Sequence, residues 1–110
     1  MSTSEPLTFH LDQKYDDEVV DRGPLQVVPA QYIATLDGER LPLTRREFEL
    51  LVLFVRNPGR LLRRDRIAAD VWDSDSPGRT IDIHVARLRS RLPKGAIETV
   101  IRVGYRFVLQ

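Results

Sequence analysis

The feature of this sequence that most constrains its fold is an amphipathic helical pattern over residues 77–92. Its apolar residues recur at intervals of four, three and four positions and so share one face of a helix: Ile81, Val85, Leu88 and Leu92. The opposite face is mainly polar and basic, with Arg79, Thr80, Ile83, His84, Arg87, Ser90 and Arg91. Ser76 as an N-cap followed by Pro77 is a start signal for such a helix. We predict a helix over 77–92 that packs through one side and exposes a basic side.

Two shorter helices are predicted before it. Thr44 and Glu47 have the spacing of a capping box, in which each side chain accepts a hydrogen bond from the other residue's backbone N–H. The apolar residues that follow have helical spacing: Phe48, Leu51, Val52 and Val55. A second helix is expected from Arg64 to Asp73, because one side of it gathers Ile67, Ala68, Val71 and Trp72. The sequence therefore predicts three helices in succession.

Short β-prone runs flank these helices. Three precede them, at residues 25–28, 32–36 and 40–43. Asp37-Gly38 separates the last two runs and is a strong hairpin signal. Two more follow the helices and are hinged near Gly104, at residues 97–103 and 105–109. We predict an α+β fold of the winged helix-turn-helix type, with an N-terminal antiparallel β-sheet, three helices and a C-terminal β-hairpin, the wing, over residues 96–109.

Residues 1–24 differ in charge from the rest of the chain. They hold six acidic and two basic residues, a net charge of −4, whereas residues 25–110 carry +5. Their apolar residues are sparse, so we expect an acidic N-terminal arm or linker at 1–24 and one folded domain at 25–110. The alternation of Leu7, Phe9 and Leu11 leaves a single strand in the arm as an open alternative.

Composition excludes several classes of site. The chain has no cysteine and two histidines, His10 and His84, so a metal centre or a histidine-based catalytic group has few candidate ligands. It has no glycine-rich phosphate loop and no Gly-x-Ser-x-Gly motif. We expect no enzyme activity, no cofactor and no metal.

The sequence carries no targeting or membrane signal. No apolar run approaches the ~18–20 residues that span a bilayer. The N-terminus lacks the basic and apolar segments of a secretory signal. We therefore expect a cytoplasmic protein that does not associate with membranes.

The predicted third helix is suited to a nucleic-acid partner. Fourteen of the fifteen basic residues between 25 and 110 are arginine, whose planar fork matches phosphates and guanine edges. The major groove of B-DNA, about 12 Å wide, accepts one helix with its side chains. Arg87 can donate two hydrogen bonds to a guanine edge, and Ile83 can contact a thymine methyl group. Arg102 and Arg106 follow in the predicted wing, so we predict double-stranded DNA as the partner.

Six motifs along residues 25–110 share a distinctive spacing: Thr44-x-x-Glu-Phe-x-Leu-Leu51, Asn57-Pro-Gly59, Val71-Trp72, Arg79-Thr-Ile-Asp-Ile-His-Val85, Arg87-Leu-Arg89 and Gly104-Tyr-Arg-Phe107. Together they resemble the DNA-binding effector domain of OmpR/PhoB-type response regulators. The resemblance implies a sequence-specific transcriptional regulator of a two-component system. It also implies that the helix over 77–92 is a recognition helix in the major groove, with the wing on the adjacent backbone or minor groove.

The resemblance implies a role for individual residues. Base reading is implied for Arg87, Ile83 and Arg89. Phosphate contacts are implied for residues of the second helix, the recognition helix and the wing: Arg64, Trp72, Arg79, Thr80, His84, Thr99, Arg102 and Tyr105. Two further partners are implied, a second copy of the domain on direct-repeat sites and RNA polymerase through the loop between the second and third helices.

The chain departs from the family pattern in three places. Where the family often has Thr-Val-Arg-Gly before Gly-Tyr, this chain has Thr99-Val-Ile-Arg102, which moves the wing arginine by one residue. In a strand such a shift turns the side chain to the other face, so a minor-groove contact by Arg102 is not expected. The loop over 73–78 is short and acidic. Residues 1–24 cannot form the receiver domain that precedes this module in the family, which leaves open an excised effector domain or a natural single-domain relative.

Other interpretations of the same residues stay open. Trp72 is expected in the core on the basis of its spacing, Ile83 can instead pack on the wing or the second helix, and we expect Asp82 to orient an arginine rather than contact DNA. A winged helix can also be a protein-interaction module that binds an acidic partner. The acidic arm at 1–24 can fold back over the basic face and inhibit binding.

Overall fold

The computed structural model describes residues 18–74 and 78–109. An antiparallel sheet of four strands in the order β1-β2-β3-β4 forms the N-terminal part: β1 Val20–Arg22, β2 Leu25–Val28, β3 Ile33–Leu36 and β4 Glu39–Arg40. A single 3-10 turn over Pro29–Gln31 connects β2 to β3. The predicted N-terminal antiparallel sheet is confirmed.

The hairpin between β3 and β4 forms where Asp37-Gly38 predicted it. Both turn residues have positive φ, 52° at Asp37 and 86° at Gly38, which suits an aspartate-glycine pair. The last strand is shorter than the predicted run at 40–43, since β4 is Glu39–Arg40. Pro42 has no N–H to donate to a neighbouring strand, which explains why the strand ends before it.

The folded region begins earlier than the predicted boundary at residue 25. Strand β1 pairs with β2 in the register Val20↔Val27, and the Val20 side chain is buried. Glu18, just before this strand, forms an ion pair with Arg56. The boundary was placed too late because a three-residue strand has almost no pattern of its own in the sequence. The alternation at Leu7, Phe9 and Leu11 lies outside the described residues.

Three helices follow, as predicted: α1 Arg45–Arg56, α2 Arg64–Trp72 and α3 Arg79–Arg89. The capping box of α1 is present. The Thr44 hydroxyl oxygen accepts from the Glu47 N–H at 3.2 Å, and Glu47 Oε1 accepts from the Thr44 N–H at 3.1 Å. No helix in the described part of the chain is both long and apolar enough to cross a bilayer.

Helix α3 is shorter than the predicted span of 77–92. Gly78 is its N-cap, and the predicted start signal at Ser76 and Pro77 lies outside the described residues. At the other end the Leu92 N–H donates to the Arg89 carbonyl at 3.2 Å, a three-residue spacing that turns the chain out of the helix. The predicted apolar stripe is confirmed, because all four of its residues are buried: Ile81, Val85, Leu88 and Leu92.

A second sheet contains the wing and has the strand order β5-β7-β6: β5 Leu61–Arg63, β6 Ile97–Val100 and β7 Gly104–Phe107. The predicted C-terminal hairpin is confirmed, with both strands shorter than the runs at 97–103 and 105–109. Residues 101–103 form a turn at its tip instead of strand. The third strand, β5, was not predicted, because three residues are too few to show a period.

Helix α1 lies at the centre of the domain and contacts both other helices, β1 and β7. Phe54 on α1 stacks with Phe107 on β7, with ring centroids 6.3 Å apart, and both side chains are fully buried. Both sheets therefore contribute to one core, and α3 packs on that core through its apolar stripe.

We predict that Gly104→Ala destabilises the domain by about 3 kcal/mol or more, because a methyl group there has no space. A Cβ at Gly104 would lie 2.0 Å from the Leu62 carbonyl oxygen, on the backbone of the neighbouring strand β5. Thermal unfolding measures the effect. Gly78→Ala is the control, since a Cβ at Gly78 meets nothing within 4 Å and an N-cap alanine costs about 1 kcal/mol. Equal melting temperatures for the two variants would contradict this packing.

Candidate nucleic-acid interface

The outer face of α3 is the surface from which the candidate site is built. Arg79, Thr80, Ile83 and Arg87 are exposed on it, and Ile83 keeps 49% of its surface accessible. The alternative in which Ile83 packs on the wing or on α2 is therefore wrong for this structure. The face combines cationic forks with one apolar side chain, the two kinds of group that contact base edges in a major groove.

His84 and Trp72 lie together where α2 meets α3. The His84 Nδ1 is 2.8 Å from the Thr80 carbonyl oxygen, and the ring meets Trp72 edge-on at 5.1 Å between centroids. On the other side the Arg46 guanidinium lies 5.9 Å from the Trp72 ring. Trp72 is only half-buried, so the expectation of a core position is only partly met. This edge of the site holds two amphipathic rings at the surface.

Asp82 joins three elements behind the outer face. Its Oδ1 accepts a hydrogen bond from the Tyr105 hydroxyl of β7 at 2.6 Å and forms an ion pair with Arg64 at the start of α2. Arg64 also donates to the Gly78 carbonyl at 3.3 Å, just before α3. The expectation that Asp82 orients an arginine is confirmed. We call Arg64, Asp82 and Tyr105 the Asp82 cluster.

The pKa values of Tyr105 and Asp82 are shifted in opposite directions. Burial, followed by the hydrogen bond to the Asp82 carboxylate, raises the pKa of Tyr105 from 10.0 to about 12. Burial also raises the pKa of the Asp82 carboxyl, but the hydrogen bonds from Tyr105 and Arg64 outweigh it, so that pKa lies below its usual value. At neutral pH the cluster is therefore a carboxylate held between a neutral phenol and a guanidinium.

Arg89 is turned towards the wing. Its Nη2 donates to the Thr99 hydroxyl on β6 at 2.8 Å, and its guanidinium lies 5.8 Å from the Tyr105 ring. These contacts place the Arg89 fork beside the wing and away from Arg87 on the outer face. Base reading by Arg89 stays a prediction, and in this conformation the side chain instead fixes the wing against α3.

The tip of the wing holds Ile101 and Arg102, both exposed. Arg102 lies in the turn and has a φ of 68°, so the strand alternation on which its expected direction was based does not apply to this residue. Ile101 was not selected from the sequence, although an isoleucine next to a wing arginine was the available signal. A concave surface separates this tip from α2 and α3, with Arg64, Asp82, Thr99 and Tyr105 on its other walls.

The family of this chain follows from its sequence. Residues 38–107, from β4 to the end of the wing, match the family described as "Transcriptional regulatory protein, C terminal". The chain belongs to this family. Its members' C-terminal domains have the winged-helix fold, and the predicted resemblance to OmpR/PhoB-type effector domains is confirmed.

Two relatives are named as a regulatory protein and a sensory transduction protein. Regulatory protein VanRB of Enterococcus faecalis is 43% identical over 86 residues, which are 76% of this chain and 39% of that protein. Sensory transduction protein RegX3 of Mycolicibacterium smegmatis is 34% identical over 102 residues, 86% of this chain and 45% of that protein. The chain thus spans less than half the length of each of these relatives.

Solved structures of similar domains agree with the fold. The DNA-binding domain of CpxR from E. coli superposes with a TM-score of 0.77 at 28% identity, covering 84% of this chain and 97% of that one. The RstA DNA-binding domain of Klebsiella pneumoniae, in complex with the RstA box, also has a TM-score of 0.77, at 26% identity, covering 83% and 97%. This family member therefore has the fold of both domains over most of its length.

We predict that Tyr105 ionises at about pH 12, two units above its ordinary value of 10.0. Because the pKa is raised in the folded state, the cluster's contribution to stability is present below about pH 10 and is lost as the pH rises towards 12. Ultraviolet titration of tyrosinate, with Tyr105→Phe subtracted, isolates this group. Asp82→Asn should lower the Tyr105 pKa without restoring it fully, since burial remains. Ionisation of Tyr105 near pH 10 in the folded protein would contradict the cluster.

Proposed function

We propose that this domain is a sequence-specific, double-stranded DNA-binding transcriptional regulator that reads the major groove with α3. The observation that carries the proposal is the outer face of α3, which exposes Ile83 and Arg87 next to a wing held at a fixed angle by the Asp82 cluster. The shared fold of the RstA domain, whose structure is a complex with the RstA box, supports it.

Arg87 and Ile83 are the proposed base-reading residues. The Arg87 fork donates two parallel hydrogen bonds to the O6 and N7 atoms of a guanine. Ile83, half-exposed in the free domain, loses its contact with water when it packs on a thymine methyl group. Together they would distinguish a guanine and a thymine within one turn of the recognition helix. Arg89 would take part after releasing Thr99.

The phosphate contacts are proposed for residues on either side of this face. Arg79 and Thr80 lie at the N-terminus of α3, where the helix dipole also favours an anion. Thr99 and Arg102 are exposed on the wing. His84 and Trp72 flank the face at α2. Arg64 forms an ion pair with Asp82, and Tyr105 donates a hydrogen bond to it. A phosphate contact by either residue would add to its interaction with Asp82 or replace it.

The proposed activity also includes partners other than DNA. We propose a cytoplasmic regulator that pairs with a second copy on direct-repeat sites and contacts RNA polymerase through the loop over 73–78, of which residues 75–77 lie outside the described part. Regulation by the acidic arm also belongs to the proposal. At its end Glu18 pairs with Arg56 on α1, on a different helix from the recognition face.

We predict that affinity for DNA falls steeply with salt. About six phosphate contacts, each releasing a counterion, give a slope near −5 in a plot of log K against log salt concentration. Fluorescence anisotropy with a labelled duplex between low and moderate salt measures this slope. A slope near zero would show that phosphates do not supply the binding free energy.

We predict that Arg87→Ala costs about 1–3 kcal/mol of specific binding and relaxes preference at one base position. Arg40→Ala is the matched control, an exposed arginine on β4 in the other sheet, and should leave affinity unchanged. Affinities for a selected site and for its single-base variants measure both effects. If Arg87→Ala keeps the discrimination of the native domain, the recognition face is wrongly assigned. A domain that shows no preference among duplexes and binds an acidic protein would support the interaction-module alternative.

A further inference from the structure

The wing tip carries the most exposed large apolar side chain in the described part of the chain. Ile101 keeps 77% of its surface accessible, compared with 52% for Val19 and 49% for Ile83. Because burial of an isoleucine side chain is favourable by about 1.5–3 kcal/mol, Ile101 can contribute free energy to a complex in which it packs on an apolar surface.

The backbone at the tip holds this side chain outwards. The Val103 N–H donates to the Val100 carbonyl at 3.0 Å, which closes a four-residue turn with Ile101 and Arg102 at its corners. Arg102 has a φ of 68°, and a turn with positive φ at this corner favours glycine or asparagine. An arginine in this conformation costs conformational free energy, and such strain is typical of residues at functional sites.

The concave surface behind the tip indicates where a DNA strand runs. Its lining includes Arg64 on the α2 side, which is paired with Asp82, and Arg102 on the wing side, so two guanidinium groups and one carboxylate border it. In a duplex, one sugar-phosphate strand separates the major groove from the adjacent minor groove. With α3 in the major groove, a strand lying along this surface places the wing tip in the minor groove.

We propose that Ile101 enters this minor groove and selects against guanine, while Arg102 binds the phosphate at the groove edge. This inference rests on the proposed function. The minor-groove face of a G·C pair carries the guanine N2 amino donor, which A·T pairs lack. An apolar side chain packed over that donor leaves it without a hydrogen-bond partner, which is costly. Ile101 is therefore a specificity-determining residue for A·T pairs beside the major-groove site.

The test compares three versions of one base pair facing the wing, within a duplex selected by the native domain: A·T, G·C and inosine·C. Inosine lacks the N2 amino group, so an inosine·C pair resembles A·T in the minor groove and G·C in the major groove. The native domain should bind the A·T and inosine·C duplexes alike and the G·C duplex about tenfold more weakly. Equal weakening by inosine·C and G·C would overturn the minor-groove assignment.

The variants separate the apolar contact from the charged one. Ile101→Ala should reduce the G·C penalty to about twofold and leave the salt slope unchanged, because no charge is lost. Val108→Ala is the matched control, an exposed β-branched residue that follows β7 at the other end of the hairpin, and should bind as the native domain does. Arg102→Ala should reduce the magnitude of the salt slope by about 1.

Arg102→Gly checks that the strained turn serves binding. It should lose the same affinity as Arg102→Ala, and it should raise the melting temperature by a few degrees, because glycine adopts positive φ without strain. An Arg102→Gly domain that binds DNA as tightly as the native one would overturn the role of this side chain.

Failure of this inference and failure of the proposed function give different results. If Ile101→Ala keeps the full G·C penalty while Arg87→Ala loses discrimination at its own position, the wing assignment is wrong and recognition by α3 stands. If Arg87→Ala also leaves discrimination unchanged, both fail. Both substituted side chains, Ile101 and Arg87, are exposed, so each variant should fold. A melting temperature close to that of the native domain verifies this.

Discussion

The Asp82 cluster is the interaction on which the candidate interface depends. One carboxylate, held between the Tyr105 hydroxyl and the Arg64 guanidinium, connects the start of α2, the inner side of α3 and the central strand of the wing sheet. Arg89 adds a parallel connection from α3 to Thr99. Because a duplex presents its grooves and strands at fixed spacing, a protein that contacts two grooves needs its helix and hairpin at a fixed relative angle.

The same helix serves the core and the interface through opposite sides. Its apolar stripe is buried against α1 and α2. Because the basic side lies opposite this stripe, the packing exposes it to solvent. The close approach of β7 to β5 at Gly104 places the wing beside α3 in the same way, since only a residue without Cβ fits under the Leu62 carbonyl. Stability and recognition are thus determined by the same contacts.

Features that are local in sequence could be predicted, and those that depend on distant partners could not. The Thr44 capping box, the apolar stripe of α3 and the Asp37-Gly38 hairpin each follow from residues within a few positions of one another. Strands β1 and β5 are defined by pairing with partners elsewhere. The direction of Arg89 likewise depends on Thr99, ten residues away. The residue types of the interface could be predicted from the sequence. The structure was needed to show which arginines already form hydrogen bonds or ion pairs within the chain.

The central claim, that the outer face of α3 reads bases, is tested most directly by selecting bound sites from a pool of random duplexes. We predict enrichment of a short motif with a guanine and a neighbouring thymine, as the Arg87 fork and Ile83 require. A pool that binds and is recovered without any enriched motif would contradict it, because binding would then rest on charge alone.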